Sequence, residues 1–227
     1  IILSFSLFGN LFAKTKPLSL EPIQIEPIIK SNEYIDVIAD PRIELIGIIC
    51  RLAGINGFTN YYTGEVSYTT QIDSYFTKYK DEKAVTLAKS LVQRGIGIDA
   101  ILSLAYHIKP DFSGTVINFE PYPETLFESW KKISTREIYN FIKAIHDFAI
   151  KTNYQRFSNL TRSELLFHVG YFYKDFEDFA ICKWVDSFFN KKSFDKIIIS
   201  VNKICPLYCA YDTVIDENKG KVQIQNN

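Results

Sequence analysis

The sequence predicts an α+β fold in which a largely helical N-terminal region is followed by the start of a small β-sheet. Apolar residues recur with helical spacing, interrupted by capping signals, from Asp40 to about Phe189. The chain then becomes β-branched from Lys196 to Ile204, and two short runs around the turn at 216–220 are typical of a β-hairpin. A long helical region followed by strands is the pattern of α+β architecture.

The composition of the 227-residue chain limits the classes of function. Hydrophobic residues make up 47% of the chain and aromatic residues 15%, which is enough for a substantial core. Lys plus Arg and Asp plus Glu each number 26, so the formal net charge is +0. Because no overall field attracts a polyanion, we expect no nucleic-acid partner.

Residues 1–13 form a short apolar run that ends in a small residue and is followed by Lys14 and Lys16. This pattern resembles the apolar core and cleavage region of a secretory signal peptide, and it is too short to span a membrane. We therefore expect a signal-peptide remnant, an exported protein and no stable membrane span. A buried N-terminal strand or helix is the alternative. The chain contains no Met even at position 1, so we expect it to be a fragment.

Residues 14–33 contain Pro17, Pro22 and Pro27 at five-residue intervals. This spacing excludes a helix and favours an extended segment that lies on the body of the protein, such as an edge strand. Residues 34–39 are typical of a short strand that leads into a helical domain, for which we expect the bounds 34–194.

The most sharply defined helix runs from Asp40 to Gly54. Asp40 is a favourable N-cap, Pro41 suits the first helical position, and Gly54 can adopt the left-handed conformation that ends a helix. Apolar residues cover most of its circumference, which predicts a buried helix. Two of its charged residues, Glu44 and Arg51, must then be paired by neighbours or face a cleft, because an unpaired buried charge is costly.

The loop over residues 55–65 follows this helix and is rich in Gly, Asn and Tyr, which makes it a candidate wall of a binding site. We name Glu44, Arg51, Tyr61 and Tyr62 as candidate substrate-binding residues. The alternative is a solvent-exposed connection.

Further helices are predicted from apolar spacing and from two capping boxes, Ser134 to Glu137 and Thr161 to Glu164. A brief strand is expected at Phe112 to Phe119. Residues 195–227 are expected to begin a truncated β-sheet subdomain. The predicted helices are Tyr68 to Tyr79, Asp81 to Arg94, Asp99 to Ile108, one near Glu124 to Lys132, one from Ser134, and one from Thr161 to about Phe179.

The sequence carries little that is specific to a catalytic reaction. It has no H-E-x-x-H, no G-x-S-x-G, no G-x-G-x-x-G and no phosphate-binding glycine loop. We therefore assign no catalytic residue, metal ligand or cofactor. Cys205 and Cys209 have a spacing that suits a metal site, but a disulfide or two unpaired thiols fit equally well. We expect structural roles for the histidines, because none has a second metal-binding or catalytic residue at the spacing of a known motif.

Several stretches in order along the chain resemble a family of uncharacterised exported bacterial proteins, classed as a domain of unknown function. Some members carry an H-E-x-x-H motif further along and are zinc-metallopeptidase-like. The matching stretches are Asp40 to Leu45 with Arg51 to Gly54, Tyr75 to Lys80, Ala84-Val85 with Leu87 to Lys89, Gly97 to Ala100 with Leu104-Ala105, and Trp184 to Phe189.

Two hypotheses of function remain, and only the first follows from the resemblance. In the first, the chain is the N-terminal part of an exported zinc-metallopeptidase-like protein with a peptide or protein substrate. It is inactive alone, because the metal helix would follow the hairpin that ends near Gln225, and zinc would belong to a full-length relative. In the second, the chain is a non-enzymatic binding module that uses exposed aromatic residues such as Tyr61, Tyr62, Tyr122 and Trp130.

Overall fold

The computed structural model of the chain describes residues 18–32, 35–59, 66–116, 119, 128–177, 187–188, 197–204, 211–216 and 220–226. The predicted signal-peptide remnant lies outside these residues. The described part is an α+β fold, which confirms the predicted class. Its elements are β1 Ile28–Ser31, β2 Ile35–Ala39, α1 Pro41–Leu52, α2 Val66–Phe76, α3 Lys83–Gln93, α4 Ile98–Ser103, α5 Thr135–Lys151, α6 Tyr154–Glu177, β3 Ile197–Ser200, β4 Tyr211–Asp216 and β5 Gly220–Asn226.

The sheet joins strands from both sides of the helical region. Its five strands have the order β1-β2-β3-β5-β4, with β2, β3 and β5 parallel and the outer pairs antiparallel. Ile38 lies opposite Ser200 at the end of the β2–β3 pair, and the Val201 N–H donates to the Ile38 carbonyl at 2.8 Å. The strands expected after residue 195 thus extend the sheet that begins at residue 28.

Helix α1 is enclosed by other elements. Asp40 caps it through its side chain, Pro41 occupies the first turn, and Gly54 has a φ of +70° just after it ends. The ten residues Pro41, Ile43, Glu44, Leu45, Ile46, Gly47, Ile48, Ile49, Cys50 and Arg51 are all buried. The helix contacts α3, α4 and α5, while α6 packs on β1 and β2. These features confirm the sequence prediction for this helix.

An aromatic cluster joins α2, α5 and α6. Phe76 meets Phe157 edge to face with ring centroids 4.8 Å apart, and it stacks on Phe148 at 6.1 Å. Tyr75 lies 5.2 Å from Phe157. Aromatic pairs at such distances stabilise a core beyond the area that they bury.

The extended segment that precedes β1 is held by helix side chains. His146 Nε2 lies 2.7 Å from the Glu21 carbonyl, Gln155 donates to the Gln24 carbonyl at 2.7 Å, and Arg162 donates to the Glu26 carbonyl at 3.0 Å. Residues 18–27, the described part of this stretch before β1, therefore lie extended along the body, and β1 forms the edge of the sheet.

Two local predictions are wrong. The strand expected to begin at Phe112 is instead a turn with isolated bridges, because Phe112 has a φ of +57° and Gly114 a φ of +145°. The helix expected to begin at Thr161 already begins at Tyr154, directly after Asn153 with a φ of +52°. The Thr161 hydroxyl donates to the Phe157 carbonyl at 3.1 Å, so it acts within the helix rather than as a cap.

Gly47 allows the segment after β3 to approach α1. A Cβ atom at this position would lie 2.3 Å from Ile204 Cγ2, and Ile204 is buried. We expect Gly47→Ala to lower the free energy of unfolding by about 1–2 kcal/mol, since overpacking exceeds the gain in helix propensity. Urea unfolding measures this change.

The same substitution in an Ile204→Ala background provides the control. The clashing methyl is then absent, so the added alanine should cost at least about 1 kcal/mol less than in the wild-type protein. Additive effects within about 0.5 kcal/mol would contradict the proposed contact.

Candidate functional site

Ionisable residues gather where the parallel strands β2 and β3 end. Asp40 directly follows β2, and Lys203 follows β3 by three residues. Carboxyl ends of neighbouring parallel strands meet at one edge of a sheet, where ligand sites of α/β proteins commonly form. We define the Glu44 cluster by its members, which come from α1 with its N-cap, α2, α6 and the segment after β3: Asp40, Glu44, Tyr68, Tyr154, Glu164 and Lys203.

Glu44 is the central member of this cluster. The Asp40 cap and Pro41 begin α1 so that Glu44 lies in its first turn, and only 4% of the residue is exposed. Burial raises the pKa of Glu44 to about 7, although the nearby Tyr68 hydroxyl and the backbone N–H and ammonium group of Lys203 oppose this shift. The Glu44 carboxyl therefore titrates near neutral pH.

Lys203 supplies the positive charge of the cluster. Its side chain is 2% exposed, and Nζ lies 3.0 Å from Glu164 Oε1 and 5.0 Å from the centroid of the Tyr68 ring. Burial lowers the pKa of Lys203, and the charge of Glu44 acts in the opposite direction. One ammonium group thus interacts with two carboxyl groups and an aromatic ring.

Two tyrosines complete the Glu44 cluster. The Tyr154 hydroxyl donates to the Pro41 carbonyl at 2.8 Å. Among the described residues, neither Glu44 Oε1 nor the Tyr68 hydroxyl has a hydrogen-bond partner of normal geometry, and both residues line a cavity of about 10 Å³. This volume is about the minimum for one water molecule. The cluster can hold and exchange a proton near neutral pH, but its cavity is too small for a peptide.

Arg51 lies at the other end of α1 in a different environment. Its Nε and Nη2 donate to the two carboxylate oxygens of Asp73 at 2.7 and 2.6 Å, and Nη1 donates to the Phe58 carbonyl at 2.6 Å. Arg51 thus fastens both the loop after α1 and helix α2. The structure does not bring Arg51 into the Glu44 cluster, and a substrate-binding role for it stays a prediction.

The other candidate residues are only partly described. Tyr61 and Tyr62 lie outside the described residues, as do Cys182, Cys205 and Cys209. Cys50 is buried within α1. In the described ranges, no group of three or more His, Cys, Asp or Glu side chains is placed to hold a metal ion. No helix among them is long and apolar enough to cross a membrane.

Glu44 was predicted from the sequence, but the four residues that surround it were not: Tyr68, Tyr154, Glu164 and Lys203. These come from α2, α6 and the segment after β3, so no short motif contains them. One signal was present. Lys203 follows an apolar strand closely and lies next to Ile204, and a charged residue in such a run indicates a buried partner of opposite charge.

Comparisons of the chain with models of known protein families, with curated proteins and with solved structures give no match. The class that the fold defines is a mixed-sheet α+β protein with a buried acid–base cluster. Any assignment of function therefore depends on the residues and their geometry.

The Arg51 interactions are expected to stabilise the fold more than a surface ion pair does. Arg51→Lys keeps the charge but loses the two-pronged contact with Asp73, so we expect it to lower the free energy of unfolding by about 1–3 kcal/mol. Arg94→Lys is the matched control, because Arg94 and Glu137 are each 43% exposed, and it should cost less than about 1 kcal/mol. Equal costs in urea unfolding would contradict the structural role of Arg51.

The buried Glu44 carboxyl predicts a distinct dependence of stability on pH. Its pKa in the folded state is about 7 against an ordinary 4.5. Between these values the folded protein keeps a proton that the unfolded chain releases, so the free energy of unfolding falls as the pH rises. Relative to Glu44→Gln, the wild-type protein should lose about 2–3 kcal/mol between pH 5 and pH 8.

Glu137→Gln is the control for this measurement. Arg94 and the capping contacts with Ser134 lower the pKa of Glu137 to about 2, so this carboxyl does not titrate between pH 5 and pH 8. Its stability difference from the wild type should stay constant over that range. A constant difference for Glu44→Gln as well would show that Glu44 does not titrate there.

Proposed function

We propose that this chain is the substrate-side scaffold of an exported zinc-metallopeptidase-like protein and does not catalyse a reaction alone. One observation supports this proposal most. The resembling residues of Asp40 to Leu45 and Arg51 to Gly54 include those that cap helix α1, that carry its buried carboxyl group, that bind Asp73 and that end the helix in a left-handed conformation.

Three other resembling stretches also contribute to the core. Phe76 belongs to the aromatic cluster, and Ala84, Val85 and Ala88 form the buried face of α3. Ala100 is buried in α4, as is the Leu104-Ala105 pair that follows. A resemblance carried by core and capping positions favours a shared scaffold, which is the role that we propose.

Zinc in such a protein polarises a carbonyl group and activates a water molecule, and it needs ligands at fixed spacing. The H-E-x-x-H pattern does not occur in these 227 residues. The residues present do not fit a zinc centre of this kind, so no step of metal chemistry is derived from them. In the proposal, this chain supplies the sheet edge and the wall of a cleft for a peptide substrate.

Elemental analysis of zinc tests this proposal. The purified chain would be compared with the longest polypeptide that its gene encodes, and each would be assayed on a fluorogenic peptide mixture. We expect stoichiometric zinc and peptidase activity only in the longer polypeptide.

No zinc in either polypeptide would overturn the metallopeptidase proposal. Zinc in the present chain would point instead to Cys205 and Cys209, and loss of that zinc in the double variant Cys205→Ser with Cys209→Ser would establish this.

A second proposal, a non-enzymatic binding module, is supported by a different part of the molecule. Trp130 does not support it, because this residue is buried and its indole N–H donates to the Ala100 carbonyl at 2.9 Å. Tyr61, Tyr62 and Tyr122 lie outside the described residues. The supporting observation is a set of exposed apolar side chains on α6, which is typical of interaction surfaces: Leu166, Phe167 and Tyr171.

A further inference from the structure

A groove of about 500 Å³ lies between the edge strand β1 and helix α6. This volume lies within the range of ligand-binding pockets, and the groove lies apart from the residues that line the small cavity at Glu44. We call it the β1–α6 groove. Its lining consists of Lys30, Ser163, Leu166, Phe167, Gly170, Tyr171 and Lys174.

The floor of the groove is apolar and exposed. Phe167 is 76% exposed, Tyr171 60% and Leu166 50%. They lie on α6 at spacings of one and four residues, so they form one surface. Gly170 lies among them, and a Cβ atom there would come within 3.4 Å of Lys30 Nζ. Lys30 thus reaches over Gly170, and its ammonium group lies beside the apolar floor.

The strand beside the groove, β1, is an edge strand with backbone groups directed away from the sheet. Among the described strands, β1 is outermost in the sheet and pairs only with β2. In an antiparallel pair, the N–H and C=O groups of alternate residues point away from the partner strand. The Tyr173 hydroxyl donates to one such carbonyl, that of Ser31, at 3.3 Å. An edge strand of this kind can accept an extended peptide as a further strand.

The positive charge of the groove favours an acidic ligand. Lys30 and Lys174 line it, and none of the described lining residues carries a carboxylate. Lys30 Nζ lies 6.0 Å from the centroid of the Tyr173 ring. Two ammonium groups beside an apolar floor complement a segment that combines carboxylates with apolar side chains.

We propose that the β1–α6 groove binds an extended, acidic and apolar peptide segment of a partner protein. Its backbone pairs with β1, its apolar side chains contact Leu166, Phe167 and Tyr171, and its carboxylates meet Lys30 and Lys174. This inference deepens the binding-module proposal and depends on it, but it does not depend on the metallopeptidase proposal.

Two fluorescein-labelled probe peptides test the inference by fluorescence anisotropy. The first has nine residues in which aspartate alternates with valine, phenylalanine and leucine. The second has lysine in place of each aspartate. We expect the full chain to bind the acidic probe at least tenfold more tightly than the basic probe, and we expect added salt to weaken this binding.

Charge reversal then locates the site. The double variant Lys30→Glu with Lys174→Glu should weaken binding of the acidic probe at least tenfold and strengthen binding of the basic probe. Lys89→Glu is the control, because Lys89 is exposed on α3 and does not line the groove; it should leave both affinities within twofold. Unchanged affinity in the double variant would overturn the location.

A matched pair of substitutions tests the role of the apolar floor. Leu166→Ser should weaken binding of the acidic probe at least fivefold, while Leu160→Ser should not, although Leu160 lies on the same helix and is 64% exposed. Thermal unfolding of each variant verifies that it is folded. Equal effects of the two substitutions would count against the groove.

The remaining outcomes distinguish failure of the inferred peptide ligand from failure of the binding-module proposal. Tighter binding of the basic probe, reversed by the double variant, would overturn the acidic chemistry but leave a binding module. Binding of neither probe at 1 mM would overturn the inferred peptide ligand. Self-association in light scattering that Leu166→Ser abolishes would mean that a second copy of the chain occupies the groove, and would also overturn it.

Discussion

The enclosure of α1 is the constraint on which the rest of the structure depends. A helix that is apolar on most of its surface must be covered on every side, and α3, α4, α5 and the segment after β3 cover this one. Its two buried charges then need partners from elsewhere in the chain. Lys203 interacts with Glu44 at the end of the sheet, and Asp73 binds Arg51 from α2. Because these contacts join α1 to α2 and to the segment after β3, the pairing of its buried charges determines how the helices pack against the sheet.

Helix α6 connects the buried cluster with the exposed groove. Tyr154, Thr161 and Glu164 of this helix face the residues around Glu44, by hydrogen bonding to Pro41, by lining the cavity and by pairing with Lys203. Leu166 and Phe167 on the same helix line the groove. One helix thus closes the interior and presents an apolar surface, which explains why its sequence lacks a single clean apolar stripe.

The sequence predicted the features that depend on residues close together in the chain, such as the ends of helices. Asp40, Pro41 and Gly54 mark the ends of α1, and the Ser134 capping box begins α5 as expected. The pairing of β2 with β3 could not be predicted, because the strands lie on opposite sides of the helical region. The partners of Glu44 and Arg51 could not be predicted either, although it was clear that both residues need partners. Trp130 was assigned to the surface wrongly, because a buried indole is satisfied once its N–H reaches a carbonyl.

The central claim is that the enclosed helix α1 opens only when the whole molecule unfolds. Native-state hydrogen exchange of the backbone amides from Ile46 to Cys50 tests it most directly. We expect the free energy of opening for these amides to equal that of global unfolding measured with denaturant. Opening of α1 at a free energy lower by more than about 2 kcal/mol, with α5 still protected, would contradict it.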